Sequence, residues 1–467
     1  MKTKDKTIFL AATFFATFWI LNSSICGQTP TPMPSPASST PTGNQVKGDA
    51  ATSANAAVNE PAVSPALDFW HQETMTGDWG GARSRWKEQG VDLEFKLTQF
   101  VQGVASGGVR HNTVYNGNFE STWKFDLEKV AGWKFWSAEI KTEYRFGGPL
   151  LLGSGALNPV NTAATIPASS GSVVSITALN FTRLIPKDLK KGNYYEISFG
   201  RFNTVDMVDE QFFAGSGTEK FFNIAQIGPL NTVREVPLIT NGATFAYVKG
   251  GEPFITFAVL DPNDHSLDPG IHNLFADGAS FIPGINFSTK YWGKSGGHSL
   301  GGAVTTKAYS PFDAIREIIL PGPSAKPIEP KRGSWSVSYI FRQYIVERGA
   351  KDGWGFFTQF AVSNKDTSPV TSFFDAGLGG NGLFKSRRRD EFGFAYAFTG
   401  LSRVLRDNID LVTLGNRRPR EVHQVEMFYN WHITPWLRLT SNLQVIRGVR
   451  RNVETAIIPG ARLEMIF

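Results

Sequence analysis

The sequence predicts an all-β protein: a transmembrane antiparallel β-barrel of about 16 strands with a short N-terminal helix ahead of it. Three observations carry this. Apolar and polar residues alternate at a period of two along most of the body, the connections alternate between short and long, and no amphipathic helices are on hand to cover the apolar faces. Val91–Leu97 is the clearest stretch: Val91, Leu93, Phe95 and Leu97 are apolar, while Asp92, Glu94, Lys96 and Thr98 are polar or charged. Charges of both signs on one face demand water. The odd-numbered residues are therefore expected to meet lipid, and Asp92, Glu94 and Lys96 to line a wet lumen.

The pattern recurs along the chain. Phe119, Trp123, Phe125 and Leu127 alternate with Glu120, Thr122, Lys124 and Asp126; Trp136, Ala138, Ile140, Tyr144 and Phe146 alternate with Ser137, Glu139, Lys141, Glu143 and Arg145. Later strands, around Ile285–Tyr291, Trp335–Arg342, Phe392–Phe398 and Leu437–Val445, keep the period with fewer charges. Short connections fall at 129–132, 250–253, 293–297, 349–353 and 434–435, and long ones at 147–172, 203–238, 261–280 and 309–333. Tight turns on one side and long loops on the other are the rhythm of outer-membrane barrels. About 24 residues per strand and connection leaves ample room for the ~9–11 that cross a bilayer. The final segment, with Leu463, Met465 and Phe467 apolar between Arg462 and Glu464, looks like the terminal signal read by the barrel assembly machinery.

Residues 1–27 read as a secretory signal peptide, with Lys2, Lys4 and Lys6, an apolar run Ile8–Leu21, and cleavage near Cys26–Gly27. That run is too short to span a membrane as a helix. Ile25 is bulky where a lipoprotein signal wants a small residue. Residues 28–66, rich in Pro, Ser, Thr and Ala, make a flexible tether: a spacer, or a contact reaching toward peptidoglycan. Residues 67–90 form a helical lead-in with Gly90 as its C-terminal stop, which either narrows the periplasmic mouth or caps the first strand. The barrel occupies 91–467.

Composition agrees. The chain has 47 Gly, 37 Phe, 12 Trp and 11 Tyr among 467 residues, suited to turns and lipid contact. The net charge of +6 is too mild, and too scattered, for a nucleic-acid partner. With Cys26 as the single cysteine, a disulfide scaffold, a cysteine metal site and a thiol nucleophile are excluded from the body.

Several motifs then converge. Thr76-Gly77-Asp78-Trp79-Gly80-Gly81-Ala82-Arg83 followed by Gly90-Val91, Leu127–Lys134, Gly200-Arg201-Phe202-Asn203, Arg388-Arg389-Asp390, and Glu426–Tyr429 leading to Pro435-Trp436-Leu437 and Gln444 resemble the OprB-type carbohydrate-selective porins. The resemblance runs from about Thr76 to Phe467. It implies a sixteen-stranded barrel in the bacterial outer membrane that passes small carbohydrates by diffusion, without cofactor or catalysis. A general or anion-preferring porin, and a barrel that anchors the envelope through its tether, are the alternatives.

Catalytic motifs find no support. Gly377–Gly382 fits a dinucleotide glycine pattern without βαβ context and reads as a glycine-rich turn. Ser84-Arg85-Trp86-Lys87 lacks its companion motifs and reads as an exposed helix face. The seven histidines have no metal-ligand spacing, and none is offered as a ligand.

The pore is the site to reason about. On the polar phase of the wall, Glu139, Lys141, Glu143, Arg145, Arg342 and Arg438 are channel-lining candidates. The third long loop, after the fifth strand, is expected to fold inward by analogy with porins of this strand number. Its Asp206, Asp209, Glu210, Lys220, Arg234 and Glu235 are the constriction candidates. For any one of them a solvated lumen charge is the simpler reading. Arg201 shares the phase of Tyr195, Ile197 and Phe199, so it should point outward unless a bulge intervenes.

Overall fold

Period-two alternation closes on itself. In a computed structural model, residues 68–467 are described except 149, 168–170, 208–216, 233, 315–328 and 413–417. Sixteen antiparallel strands form a closed barrel in which each pairs with its neighbours in sequence and the last pairs with the first. They are β1 (Val91–Gly103), β2 (Thr113–Asp126), β3 (Trp136–Gly147), β4 (Val173–Asp188), β5 (Asn193–Asn203), β6 (Ile239–Lys249), β7 (Glu252–Leu260) and β8 (Ser280–Tyr291). The second half comprises β9 (Lys294–Tyr309), β10 (Lys331–Gly349), β11 (Asp352–Ser363), β12 (Val370–Asn381), β13 (Glu391–Leu401), β14 (Val422–His432), β15 (Leu437–Arg447) and β16 (Ala456–Ile466). Closure matters because lipid offers no hydrogen bonds to a free sheet edge. Among the described residues no helix is long and apolar enough to cross a membrane.

The two faces sort as the alternation predicts. Tyr115, Val174, Phe199, Leu300, Phe360 and Phe394 are exposed on the outer wall, whereas Thr98, Gln102, Asn118, Ser336 and Gln424 are buried inside. Gly377–Asn381 corrects the sequence reading: it belongs to β12 and is not a turn. A Cβ at Gly377 would lie 2.5 Å from the Phe394 carbonyl oxygen and 2.7 Å from the Phe357 ring. Glycine there lets neighbouring strands and an aromatic side chain close in. Residues 1–66, including the signal peptide and tether, lie outside the described residues.

The lead-in caps the seam. Helix α1 (Ala82–Glu88) precedes β1, and Gly90 follows it at φ +95°, where glycine is unstrained. Strand β16 reaches only as far as Lys96, leaving the first residues of β1 without a ladder partner on that side. Arg83 fills the gap. Its Nη1 donates to the Phe467 carbonyl and its Nη2 to the Leu93 carbonyl, each at 2.6 Å. Met75 N–H donates to the Ile466 carbonyl at 2.7 Å, and Trp436 Nε1–H to the Phe69 carbonyl at 2.9 Å. Trp79 lies 6.2 Å from the Phe95 ring on the outer face. The reading of Val91–Leu97 is thereby modified at both faces: Leu93 is buried on the outer side, and Lys96 is buried inside. Asp92 pairs with Lys87 at 2.9 Å.

Arg83→Met should weaken the seam. Hydrogen bonds from a charged donor contribute about 1.5–3 kcal/mol each. The expected outcome is a lower temperature for the heat-modifiable gel shift of the folded barrel, with unchanged strand content by circular dichroism.

Candidate functional site

The connection from β5 to β6 turns into the barrel. Phe221, Phe222, Ile224, Ala225 and Ile227 are buried, more apolar side chain than a solvated loop would carry. Two short 3-10 turns, Ile224–Gln226 and Leu230–Thr232, compact it. The opposite wall holds it. Glu426 on β14 accepts from the backbone N–H of Phe222 at 2.6 Å and of Asn223 at 2.9 Å. Arg462 on β16 donates to the carbonyls of Gly217 and Lys220, each at 3.0 Å, and also to that of Glu219. Its guanidinium lies 4.7 Å from the Phe222 ring centroid. Phe221 meets Phe428 edge-on at 4.9 Å, and Asn231 Nδ2 reaches the Val362 carbonyl on β11 at 2.9 Å.

A second loop joins it, which the sequence reading did not expect. The connection from β3 to β4 buries Leu150, Leu157, Val160 and Ile166. Asn158 exchanges amide hydrogen bonds with Gln424 and donates to Asn223 Oδ1 at 2.6 Å. Asn223 Nδ2 in turn donates to Gln424 at 2.7 Å and Gln444 at 3.1 Å. Gln444 Nε2 donates to the Val160 carbonyl at 2.7 Å, and Asn161 Nδ2 to Gln102 at 2.9 Å. Two loops and the wall thus share one buried amide cluster.

A charged belt continues that wall across the β16–β1 seam, where ladder register places Lys96, Glu120 and Glu143 abreast on β1, β2 and β3. Lys96 Nζ is 3.0 Å from Glu120 and 3.4 Å from Glu219. Lys141 Nζ is 2.6 Å from Asp206, 3.5 Å from Glu143 and 3.8 Å from Glu120. Asn118 and Asn203 donate to Glu143 at 2.8 and 3.1 Å. Buried charges persist only when paired and hydrogen-bonded in this way. Asp206 and Glu219 belong to the inward loop, so the belt is also a docking strip for it.

The candidate residues separate accordingly. Glu139, Lys141, Glu143 and Arg145 all lie on the inner face, but buried. Arg145 is an anchor: it donates to the carbonyls of Pro167 at 2.9 Å, Gly171 at 2.8 Å and Ala164 at 3.3 Å, in the β3–β4 loop. Arg342 is half-buried beside Gly297, whose missing side chain leaves room for the guanidinium. Arg438 is partly exposed at the periplasmic end and lies 3.1 Å from Glu464. Asp206 is bound to Lys141, and Lys220 is half-buried. Arg234 stacks over Tyr309 at 5.0 Å, while neighbouring Glu235 is buried and its carboxyl is pushed up to about 8 by that burial. Asp209 and Glu210 lie outside the described residues.

Glu426 and Arg462 stood on the polar phase of their strands and were readable as lumen-facing. Their acceptor and donor partners are loop backbone, which alternation does not reveal. The apolar content of residues 150–166 was the available signal for the second inward loop. Among the described residues no group of three or more His, Cys, Asp or Glu could hold a metal ion.

Known proteins share this architecture. The family described as carbohydrate-selective porin, OprB family, matches residues 110–467, so the motif at Thr76–Val91 precedes the matched part. Porin B of Pseudomonas aeruginosa is 24% identical over 441 residues, covering 84% of this chain and 91% of that protein. The putative porin QuiX of Acinetobacter baylyi is 36% identical over 102 residues, covering 21% and 23%. Among solved structures, the high-pH structure of Pseudomonas putida OprB matches the fold with a TM-score of 0.71 at 20% identity, covering 86% of this chain and 100% of that one.

The Lys96–Glu219 pair gives a pH signature. Lys96 holds the Glu219 carboxyl down at about 2, and the Glu219 side chain is 45% exposed, so solvent screens part of the attraction. A depressed carboxylate stabilises the fold fully above its unfolded value of about 4.3 and loses that contribution as pH falls through about 2. The stability difference between wild type and Glu219→Gln should therefore shrink steadily across that window, measured by thermal unfolding at a series of pH values.

Proposed function

The chain belongs to the carbohydrate-selective porins of the OprB family, proteins of the outer membrane, and from that premise we propose that small carbohydrates diffuse downhill through a lumen narrowed by residues 217–232 of the β5–β6 connection. The carrying observation is the double anchorage of that loop by Glu426 and Arg462 on the wall facing its own strands. A loop held across a barrel fixes the width of the path by packing. It leaves half-exposed polar groups, Glu219, Lys220 and Arg438, to meet the solute. Carboxylates and guanidinium groups exchange hydrogen bonds with sugar hydroxyls, and weak contacts at several places allow exit as well as entry. The chemistry at the site is recognition alone, and the proposal assigns no catalytic step.

The deeply paired residues Lys96, Glu120, Lys141, Glu143, Asp206 and Arg145 act in this reading as the frame that holds the narrowing. Asp209, Glu210, Arg234 and Glu235 would contribute to the field along the inward loop, and Glu139 and Arg342 to that of the wall. Export through a signal peptide cleaved near Cys26–Gly27, recognition of the Leu463–Phe467 strand end by the barrel assembly machinery, and peptidoglycan contact through residues 28–66 complete the proposal. Their support is the sequence pattern described above.

Planar-bilayer conductance in salt, with and without added glucose and short glucose oligomers, tests the main reading. Sugars should lower the ionic current in a concentration-dependent way. Small anions passing freely with no effect of sugar would replace it with an anion-preferring pore.

Glu426→Ala tests the frame. It removes two charge-assisted bonds to backbone, each contributing roughly 1.5–3 kcal/mol. The expected result is a larger, noisier single-channel conductance and weaker current block by sugar; an unchanged conductance would show that Glu426 does not set the width.

A further inference from the structure

Arg201 faces outward from β5, where an unpaired guanidinium would be expensive against lipid. The β7–β8 loop resolves this by folding over the extracellular rim onto the outer wall. Arg201 donates to the carbonyls of Asp268 at 2.9 Å, Pro269 at 3.4 Å and His265. Its cross-strand partner Asn241 donates to Pro269 as well, at 2.9 Å. Between this loop and the wall lies a groove of about 710 Å³, within the ~300–1,000 Å³ range of ligand sites.

The groove has a specific chemistry. Its sides are apolar, from Val174, Ile176 and Phe199 on the wall to Leu267, Ile271 and Leu274 on the loop. Leu267 and Ile271 are 62% and 73% exposed. Ala243, on the outward phase of β6, keeps a bulky side chain out of its base. Two buried polar atoms of the lining have no hydrogen-bond partner: Arg201 Nε, a donor, and Ser266 Oγ. Every lining strand contributes its extracellular half, which places the groove at the outer leaflet.

We propose that this groove holds one acyl chain of an outer-leaflet glycolipid, with an ester or hydroxyl oxygen of that chain accepting from Arg201 Nε and Ser266 Oγ. A flexible hydrocarbon chain enters a recess between loop and wall. The convex barrel of a second copy does not. The oxygen satisfies donors that would otherwise be stranded in an apolar setting, where an unmade hydrogen bond is costly.

Native mass spectrometry of the protein purified from outer membranes into detergent tests this, with hexa-acylated lipid A as probe and phosphatidylethanolamine as control. Wild type should retain one lipid A per barrel, and Ala243→Trp, which fills the groove from its base, should need about tenfold more lipid for equal occupancy. Leu267→Asp, at an exposed loop position, provides the same comparison if the tryptophan variant does not fold. Ser266→Ala, which removes one of the two unpartnered donors and leaves the Arg201 clamp on the loop carbonyls in place, should also retain less lipid A. Equal retention by wild type and both groove variants, equal binding of phosphatidylethanolamine, or barrel pairs in place of lipid adducts would each overturn the assignment.

Discussion

Every backbone donor and acceptor in a membrane-spanning sheet must find a partner within the protein, and this single requirement shapes the chain from end to end. It forces β1 to pair with β16, so the sheet is complete only when residues more than 350 positions apart meet. The ladder alone does not finish the work, since β1 outruns β16 at the periplasmic end. Arg83 completes it by giving one guanidinium to two carbonyls that the sheet leaves over. The same economy explains the clamp of Arg201 on the opposite rim, where loop carbonyls serve as partners for a cation on the wrong side of the wall.

Inside, the constraint reverses. A barrel of sixteen strands encloses more space than side chains of the wall fill, and two loops occupy it. They are held by unlike means on two adjoining arcs of the wall: ion pairs along β1–β3, and carboxylate, guanidinium and amide contacts along β14–β16. The result is a lumen whose charged residues are mostly committed to one another or to loop backbone. Only a minority, Glu219, Lys220 and Arg438 among them, remain partly open to solvent.

Much of this was legible in the sequence. Period-two alternation placed Lys96, Lys141 and Arg438 on the inner face and Arg201 on the outer one, because side-chain direction in a strand is set by parity alone. The long connection after β5 was identifiable from its length and order. What parity does not encode is the third dimension of a loop. Arg145 reads as a lumen charge because its strand says so; that its hydrogens go to three loop carbonyls follows from where the fold brings Ala164, Pro167 and Gly171. Gly377–Asn381 misled for a related reason: glycines that permit close strand approach look the same in sequence as glycines that permit a turn. The Thr76–Arg83 segment showed its resemblance plainly, yet its mechanical role depended on where β16 stops.

The buried amides Asn158, Asn223, Gln424 and Gln444 tie two loops to the wall without a formal charge among them. Their hydrogen bonds neither titrate nor respond to counterions, in contrast to exposed ion pairs, which salt screens within about 10 Å at 0.1 M. An outer surface meets whatever water surrounds it, dilute or saline, acid or alkaline. At this cluster the crossing of the two loops is insulated from that weather, while the neighbouring anchors Glu426 and Arg462 carry the charged part of the attachment.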